Sequence, residues 1–498
     1  MDLFNSLIFG FSVAFSLQNL LYCFIGVLIG TLIGVLPGIG PLATISMLLP
    51  ITYSVPPVAA LIMLAGIYYG AQYGGSTTAI LVNLPGETSS VVTCIDGYQM
   101  ARQGRAGPAL AIAAIGSFFA GTVGTLLIAL FAPPLAEFAL KFGSPEYFSL
   151  MLMGLVAAAV LAQGDVAKSL AMVVLGLLLG IVGNDVHSSI PRFAFGITEL
   201  TDGIGFIVLA VGVFAVGEII ANLGAPTERR LFTSSITTLL PTRHDMKQAF
   251  APILRGTGIG AFFGVLPGTG PAVASFASYM LEKKIAKDPS RFGRGAIEGV
   301  AGPEAANNAD AQCKFIPMLT LGLPASGVMA LMLGALTMQG IQPGPDVMTQ
   351  RPDLFWGLIA SMWIGNLMLV VLNLPLIGVW VRLLKVPYRL LFPAIMTFSA
   401  IGVYSLNNSA FEIYLAAMFG IVGFILIKLG FSPAPMLLGF VLGPMMEDNL
   451  RRSMVMGRGD PSVFFTRPIS LGFIIATVLI LIIVAVPAIQ KRRHEVAG

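Results

Sequence analysis

Charge is what this chain has least of. Only 10% of its 498 residues are Asp, Glu, Lys or Arg, against about 25% in a soluble domain. No Lys or Arg precedes Arg102, so the start lacks the basic flank of a cleavable signal peptide, and none is expected. The three cysteines, Cys23, Cys94 and Cys313, are scattered. They suit small apolar filler better than a disulfide framework or a metal cluster. The three histidines, His187, His244 and His494, have no ligand spacing either. No Gly-Lys-Ser/Thr phosphate loop and no His-Glu-x-x-His helix occurs, which removes ATP hydrolysis by that route and zinc proteolysis. The net charge of +4 lies in loops and does not point to nucleic acid.

What replaces charge is apolar length. The chain is 56% hydrophobic, with a mean hydropathy of +0.88. Apolar runs recur at Pro108–Phe131, Tyr147–Leu161, Leu170–Val182, Ile204–Ile220, Phe411–Leu429 and Leu471–Val486. Runs of this length span a bilayer, and those under about 20 residues suit buried or broken helices. The expected fold is an all-α polytopic membrane protein with roughly 10–14 membrane segments.

The segment Gly34-Val35-Leu36-Pro37-Gly38-Ile39-Gly40-Pro41 returns as Gly264-Val265-Leu266-Pro267-Gly268-Thr269-Gly270-Pro271. Each copy follows glycines four apart, Gly26, Gly30 and Gly34 in one and Gly256, Gly260 and Gly264 in the other. Asn83-Leu84-Pro85-Gly86 is matched by Gly322-Leu323-Pro324-Ala325, and Pro108 by Pro352. The chain therefore reads as a duplication: a first membrane repeat over 1–226, a cytoplasmic linker over 227–249 carrying Arg229, Arg230, Arg243 and Lys247, and a second membrane repeat over 250–498.

Loop charges predict opposite orientations for the two repeats. The loop Ile51–Pro57 is uncharged, whereas its counterpart holds Lys283, Lys284, Lys287, Arg291 and Arg294. At the next turn Arg102 and Arg105 face an Arg351 that stands between Asp346 and Asp353. The positive side alternates in opposite phase, as inverted-topology repeats require.

Proline and two glycines in five residues interrupt a helix. Pro41 and Pro271 suit the first position of a new one. An unwound turn survives at membrane depth only where protein buries it or it lines a wet cavity. Each new helix aims unpaired N–H groups and the positive end of its dipole at the gap, a cradle for anions. The candidate substrate-binding residues are Gly38, Ile39, Gly40, Thr44, Ser46 and Asn83 in the first repeat. Their counterparts are Gly268, Thr269, Gly270, Ser275 and Ser326, with Lys314 as a possible counter-charge. The glycine stripe serves either a sliding face or plain close packing. Asn307, Asn308 and Asp310 form the candidate site for a coupling cation. The alternative for Asp310 is a pair with Lys314. Asp165, Glu218 and Glu412 read as interfacial.

The Gly34–Pro41 segment, the run Tyr69-Gly70-Ala71-Gln72-Tyr73-Gly74-Gly75-Ser76-Thr77, the run Asn83–Glu87 and Pro303-Glu304-Ala305-Ala306-Asn307-Asn308-Ala309 together resemble the large permease subunit of tripartite tricarboxylate transporters, the TctA-like family. The resemblance covers nearly the whole chain. It implies a multi-pass protein of the bacterial inner membrane that imports di- or tricarboxylates by Na⁺ or H⁺ symport and alternating access. It also implies a small membrane subunit and a periplasmic substrate-binding protein as partners, with no cofactor beyond the coupling ion. An intramembrane enzyme or a passive anion channel would share the broken helices. The first needs a nucleophile and base or a metal cluster, which the sequence does not clearly offer, and the second could not concentrate its cargo.

Overall fold

A computed structural model describes residues 3–36, 40–162, 165–185, 187–222, 240–383 and 388–497. The expected Gly38 and Ile39 fall outside these stretches, as does 227–239 of the expected linker. The described chain is almost wholly helical, with one short antiparallel pair, Gly183–Asn184 against Pro191–Arg192. Among the described residues, five helices are long and apolar enough to cross a membrane by length and composition, and seven shorter apolar helices accompany them. The protein is an all-α, multi-pass membrane protein.

The first half opens with α1 (Leu3–Ala14) and the glycine-striped α2 (Leu17–Val35). After the interruption come α3 (Pro41–Thr52) and α4 (Pro57–Val82). A second break leads to α5 (Val91–Arg102) and the long α6 (Ala106–Ala139). Next come α7 (Ser144–Leu161) and α8 (Val166–Gly180). The half ends with α9 (Phe206–Ala210), a π-helical stretch Val211–Val216 and α10 (Gly217–Asn222).

The second half is helical too. α11 (Arg243–Gly264) is followed by α12 (Pro271–Ile285), then α13 (Glu298–Cys313) and α14 (Phe315–Leu321). α15 (Gly327–Met338), α16 (Asp346–Gln350) and α17 (Pro352–Asn373) follow. The chain closes with α18 (Ile377–Leu383), α19 (Tyr388–Asn407), α20 (Ala410–Lys428), α21 (Ala434–Met456), α22 (Val463–Thr466) and α23 (Pro468–Ala497). α11 starts inside the stretch expected to be linker. Thr242 and Asp245 cap it reciprocally, each side chain accepting the other's backbone N–H at 3.1 and 3.0 Å.

The glycine stripes are packing surfaces. A Cβ at Gly26, Gly30 or Gly34 would strike the backbone carbonyl of Met63, Ile67 or Ala71 on α4. In the second half Gly256, Gly260 and Gly264 meet Gly302, Ala306 and Asp310 on α13 in the same rhythm. Without a side chain in the way the backbones come together, and dispersion with weak Cα–H···O contacts replaces the hydrophobic drive that lipid removes. This fixes the helix ahead of each interruption against α4 in one half and against the helix Glu298–Cys313 in the other.

α6 and α17 brace the interrupted helices. Asn366 donates to the Phe118 carbonyl at 2.9 Å, Trp363 to that of Thr122 at 3.1 Å, and the Tyr73 hydroxyl of α4 to Asn366 Oδ1 at 2.7 Å. These long helices are thus hydrogen-bonded to each other and to α4, in the body that carries the breaks. A second group is built by exchange between halves. α8 packs on α21, with Gly176 against the Met436 carbonyl and Gly439 against that of Val173. α20 packs on the π stretch and α10, with Gly212 against Ala416 and Gly423 against Val213.

Candidate functional site

All four interruptions open on one cavity of about 460 Å³. Gly40–Leu42 and Gly268–Pro271 line it from the two repeated octapeptides, and Pro85–Thr88 and Ser326–Val328 from the second break of each half. Ala158 and Ala162 of α7, Glu218 of α10 and Ser432 to Leu438 ahead of and within α21 complete the wall from the second helix group. A larger cleft of about 620 Å³ lies among loops near Asp346, Asp448 and Arg452 and contains none of the interruptions.

The breaks are built for this approach. Pro41 and Pro271 stand at the first turn of α3 and α12, after an extended Gly40 (φ −79°, ψ 170°) and Gly270 (φ −85°, ψ 155°). No side chain caps either end, so the first-turn amides of α3 and α12 are directed at the cavity. At the second break, Asn83 (φ 56°) and Gly322 (φ 67°) end α4 and α14 in the left-handed conformation. Ser326 then caps α15, its hydroxyl accepting from the Met329 N–H at 3.3 Å. Gly268 needs to be glycine twice over: its φ is +82°, and a Cβ would strike the backbone of Ala158.

Two polar side chains on α4 add donors. Tyr68 and Gln72 both line the cavity and are otherwise buried. The Tyr68 hydroxyl lies beside Ser326, and neither it nor the Gln72 amide nitrogen has a well-formed hydrogen bond among the described residues. An orphaned buried donor is rare unless a ligand or water meets it. Opposing them are two acids, Glu87 and Glu218. Glu87 accepts from the Ser89 hydroxyl and from Asn307 Nδ2 at 3.3 Å. The Glu218 carboxylate lies at the start of α3, its Oε1 3.5 Å from where a Cβ on Gly40 would stand. Among the described residues no Lys, Arg or His lines the cavity.

Gly40, Gly268, Thr269, Gly270 and Ser326 of the expected substrate residues meet at this cavity. Thr44, Ser46 and Ser275 do not line it. Their hydroxyls return to the carbonyls of Gly40, Ala43 and Pro303 at 3.0, 2.8 and 3.2 Å. Asn83 is exposed at the end of α4. Lys314 is fully buried and paired with Asp310, four residues earlier on the adjoining helical turn.

Asn307, Asn308 and Asp310 do not converge on one point. Consecutive helical residues diverge by about 100°, and only Asn307 faces the cavity side, through Glu87. Asn308 donates to Ser117 on α6 at 2.7 Å and to the Glu304 carbonyl at 3.0 Å. Glu304 itself accepts from Ser76 at 2.6 Å and from Thr93. Sequence reasoning missed Tyr68, Gln72, Glu87 and Glu218 as cavity groups. Gln72 and Glu87 lay within the motif runs and were read only as a resemblance. Glu218, read as interfacial, stands in the cavity wall.

A helical membrane body whose interruptions from both halves share one cavity has the arrangement of a transport site. Residues 20–438 match the model described as Tripartite tricarboxylate transporter TctA family, and the chain belongs to that family. It is similar to an "Uncharacterized 52.8 kDa protein in TAR-I ttuC' 3'region" of Agrobacterium vitis. The two are 58% identical over 496 residues, covering 100% of this chain and 99% of that one. It is also similar to an "Uncharacterized protein in TAR-II ttuC' 3'region" of the same organism, 58% identical over 237 residues, 48% of this chain and 98% of the relative. No solved structure matches.

Proposed function

We propose that this chain is the large membrane subunit of a binding-protein-dependent importer of di- or tricarboxylates in the bacterial inner membrane, driven by Na⁺ or H⁺ symport. A small membrane subunit and a periplasmic binding protein complete it. The observation that carries the reading is the cavity: three N-capped or uncapped helix starts, at Pro41, Pro271 and Gly327, meet there. Together with Tyr68 and Gln72 they supply neutral donors and positive dipole ends for carboxylate oxygens.

The same lining argues for a symporter over a passive anion channel. A multivalent anion entering a site with two acids and no basic side chain is repelled unless positive charge enters with it. Cations or protons in the cavity remove that penalty. Alternating access would run along the seam where α7, α10 and α21 face the braced body of interrupted helices. The two halves, taken as inverted repeats, supply two related arrangements of that seam.

The test places Val at Gly40 or Gly270. Both residues have backbone angles open to any residue; among the described residues, chain neighbours aside, no atom lies within 4 Å of a Cβ at Gly270, and only Glu218 Oε1 lies near one at Gly40, at 3.5 Å. The variants should fold and insert, and lose carboxylate uptake in proteoliposomes supplied with the partner proteins. Wild-type uptake in both would count against the cavity as the transport site.

A further inference from the structure

The two octapeptide helix ends are not equivalent. Among the described residues, and its own chain neighbours aside, the end at Gly270 has no atom within 4 Å of where a side chain would begin. The end at Gly40 already faces a carboxylate from the chain itself: Glu218 Oε1 lies 3.5 Å from that point. Glu218 is the second residue after a six-residue π-helical stretch, Val211–Val216. Such stretches rotate the residues that follow them out of α-helical phase and recur at functional sites.

We propose that Glu218 is the proton-carrying group of transport: a tethered carboxylate that holds the α3 helix end in the absence of cargo and yields it, on taking up a proton, to a carboxylate of the substrate. This rests on the carboxylate reading above and assigns the co-transported ion in that reading to a proton at one named residue.

The exchange balances. Ionised, Glu218 satisfies the Gly40 N–H and the dipole of α3. An incoming carboxylate group offers the same interaction and would place two negative charges at one helix end. One proton on Glu218 Oε removes the internal charge and leaves the substrate oxygens as acceptors for the freed amide. The net change on binding is one carboxylate group and one proton in. When cargo leaves to the other side, Glu218 releases its proton there and takes the helix end again.

Among the described residues few other charges lie near this position, and the only other titratable side chains that line the cavity are Glu87 and Tyr68. α3 carries only Tyr53, just past its far end. α20, packed along α10 and the π stretch, carries Glu412, Tyr414 and Lys428. Glu412 lies by Gly205 at the opposite end and accepts from Asn407 at 2.6 Å, and Lys428 stands over the Phe424 ring. Tyr404 of α19, which also packs against the π stretch, is exposed. Among the described residues the acid therefore faces the Gly40 backbone and whatever anion competes for it.

Citrate binding to the purified full-length chain, followed by calorimetry between pH 6 and 8 in buffers of different ionisation enthalpy, tests this, with tartrate as a second probe. In the wild type the affinity should rise as pH falls, approaching tenfold per pH unit where one proton accompanies each ligand. In Glu218→Gln, whose amide mimics the protonated acid, that slope should vanish, and in Glu87→Gln it should persist. Citrate-induced infrared difference spectra of the wild type give a readout independent of variant folding: a protonated carboxyl C=O band should appear. A slope unchanged in Glu218→Gln, a slope lost in Glu87→Gln instead, or no carboxyl band in the wild type would overturn the assignment. Failure of both probes to bind the wild type at any pH would overturn the carboxylate reading itself and this assignment with it.

Discussion

The Gly268 amide donates to the Ala325 carbonyl across 3.0 Å. One octapeptide break is thereby joined to the second break of its own half, two chain reversals held at one point. The bond depends on the left-handed backbone of Gly268, which lies against Ala158 of α7.

Gly268→Ala should therefore be severely destabilised. A non-glycine residue in this region costs about 1–2 kcal/mol, and the collision with Ala158 adds an overpacking term of about 1–3 kcal/mol. Thermal unfolding in detergent checks this, with Gly270→Ala as the matched control that should melt near the wild type.

The Asp310–Lys314 pair is buried on both sides. Lys314→Met leaves a buried carboxylate unpaired and should cost about 3–5 kcal/mol. The double variant Asp310→Asn with Lys314→Met should recover most of that loss, because a neutral pair needs no counter-charge. It should also keep the ion dependence of uptake, since neither side chain lines the cavity. Loss of ion dependence in the stable double variant would move the coupling site to Asp310.

Tyr68→Phe removes one donor from the cavity without changing its shape. Citrate affinity should fall roughly 10- to 100-fold, the range for a hydrogen bond to a charged group. Stability should hold or rise, because the hydroxyl has no well-formed partner among the described residues. Calorimetric binding beside a melting curve separates the two effects.

Asp245, at the polar start of α11, gives the pH prediction. Burial raises its carboxyl, but the Thr242 amide and hydroxyl and the Arg105 guanidinium outweigh that and hold it below the ordinary carboxylate value. A depressed folded value means that its contribution is complete above about pH 4, the unfolded value, and is lost as pH falls through the lower folded one. Asp245→Asn should cost about 1–2 kcal/mol at pH 7. The gap to the wild type should close on acidification below pH 4, as followed by unfolding across pH.

The glycines four apart and the prolines after them were legible because a repeated backbone requirement leaves a repeated residue. That is why Gly40, Gly268, Gly270 and Ser326 were foreseen and meet at the cavity. The asparagines were not resolvable in the same way. Asn307 and Asn308 are neighbours in sequence yet face Glu87 in the second break and Ser117 on α6, and helical phase has no meaning until those neighbours are placed. Glu218 was hidden for a related reason. It lies at the end of an apolar run, where a carboxylate ordinarily reaches the interface. Its turn toward Gly40 follows from the π stretch and the packing of α20, neither of which leaves a local residue pattern.

The exchange of helices between halves bears on biosynthesis. Val166–Gly180 emerges from the ribosome with its small-residue face bare, and the surface that covers it, Ala434–Met456, is made only near the end of translation. The amino-terminal portion must then wait in the membrane incompletely assembled. Chains truncated before residue 434 should be targets for membrane proteolysis, and supplying the missing portion as a separate polypeptide should rescue them.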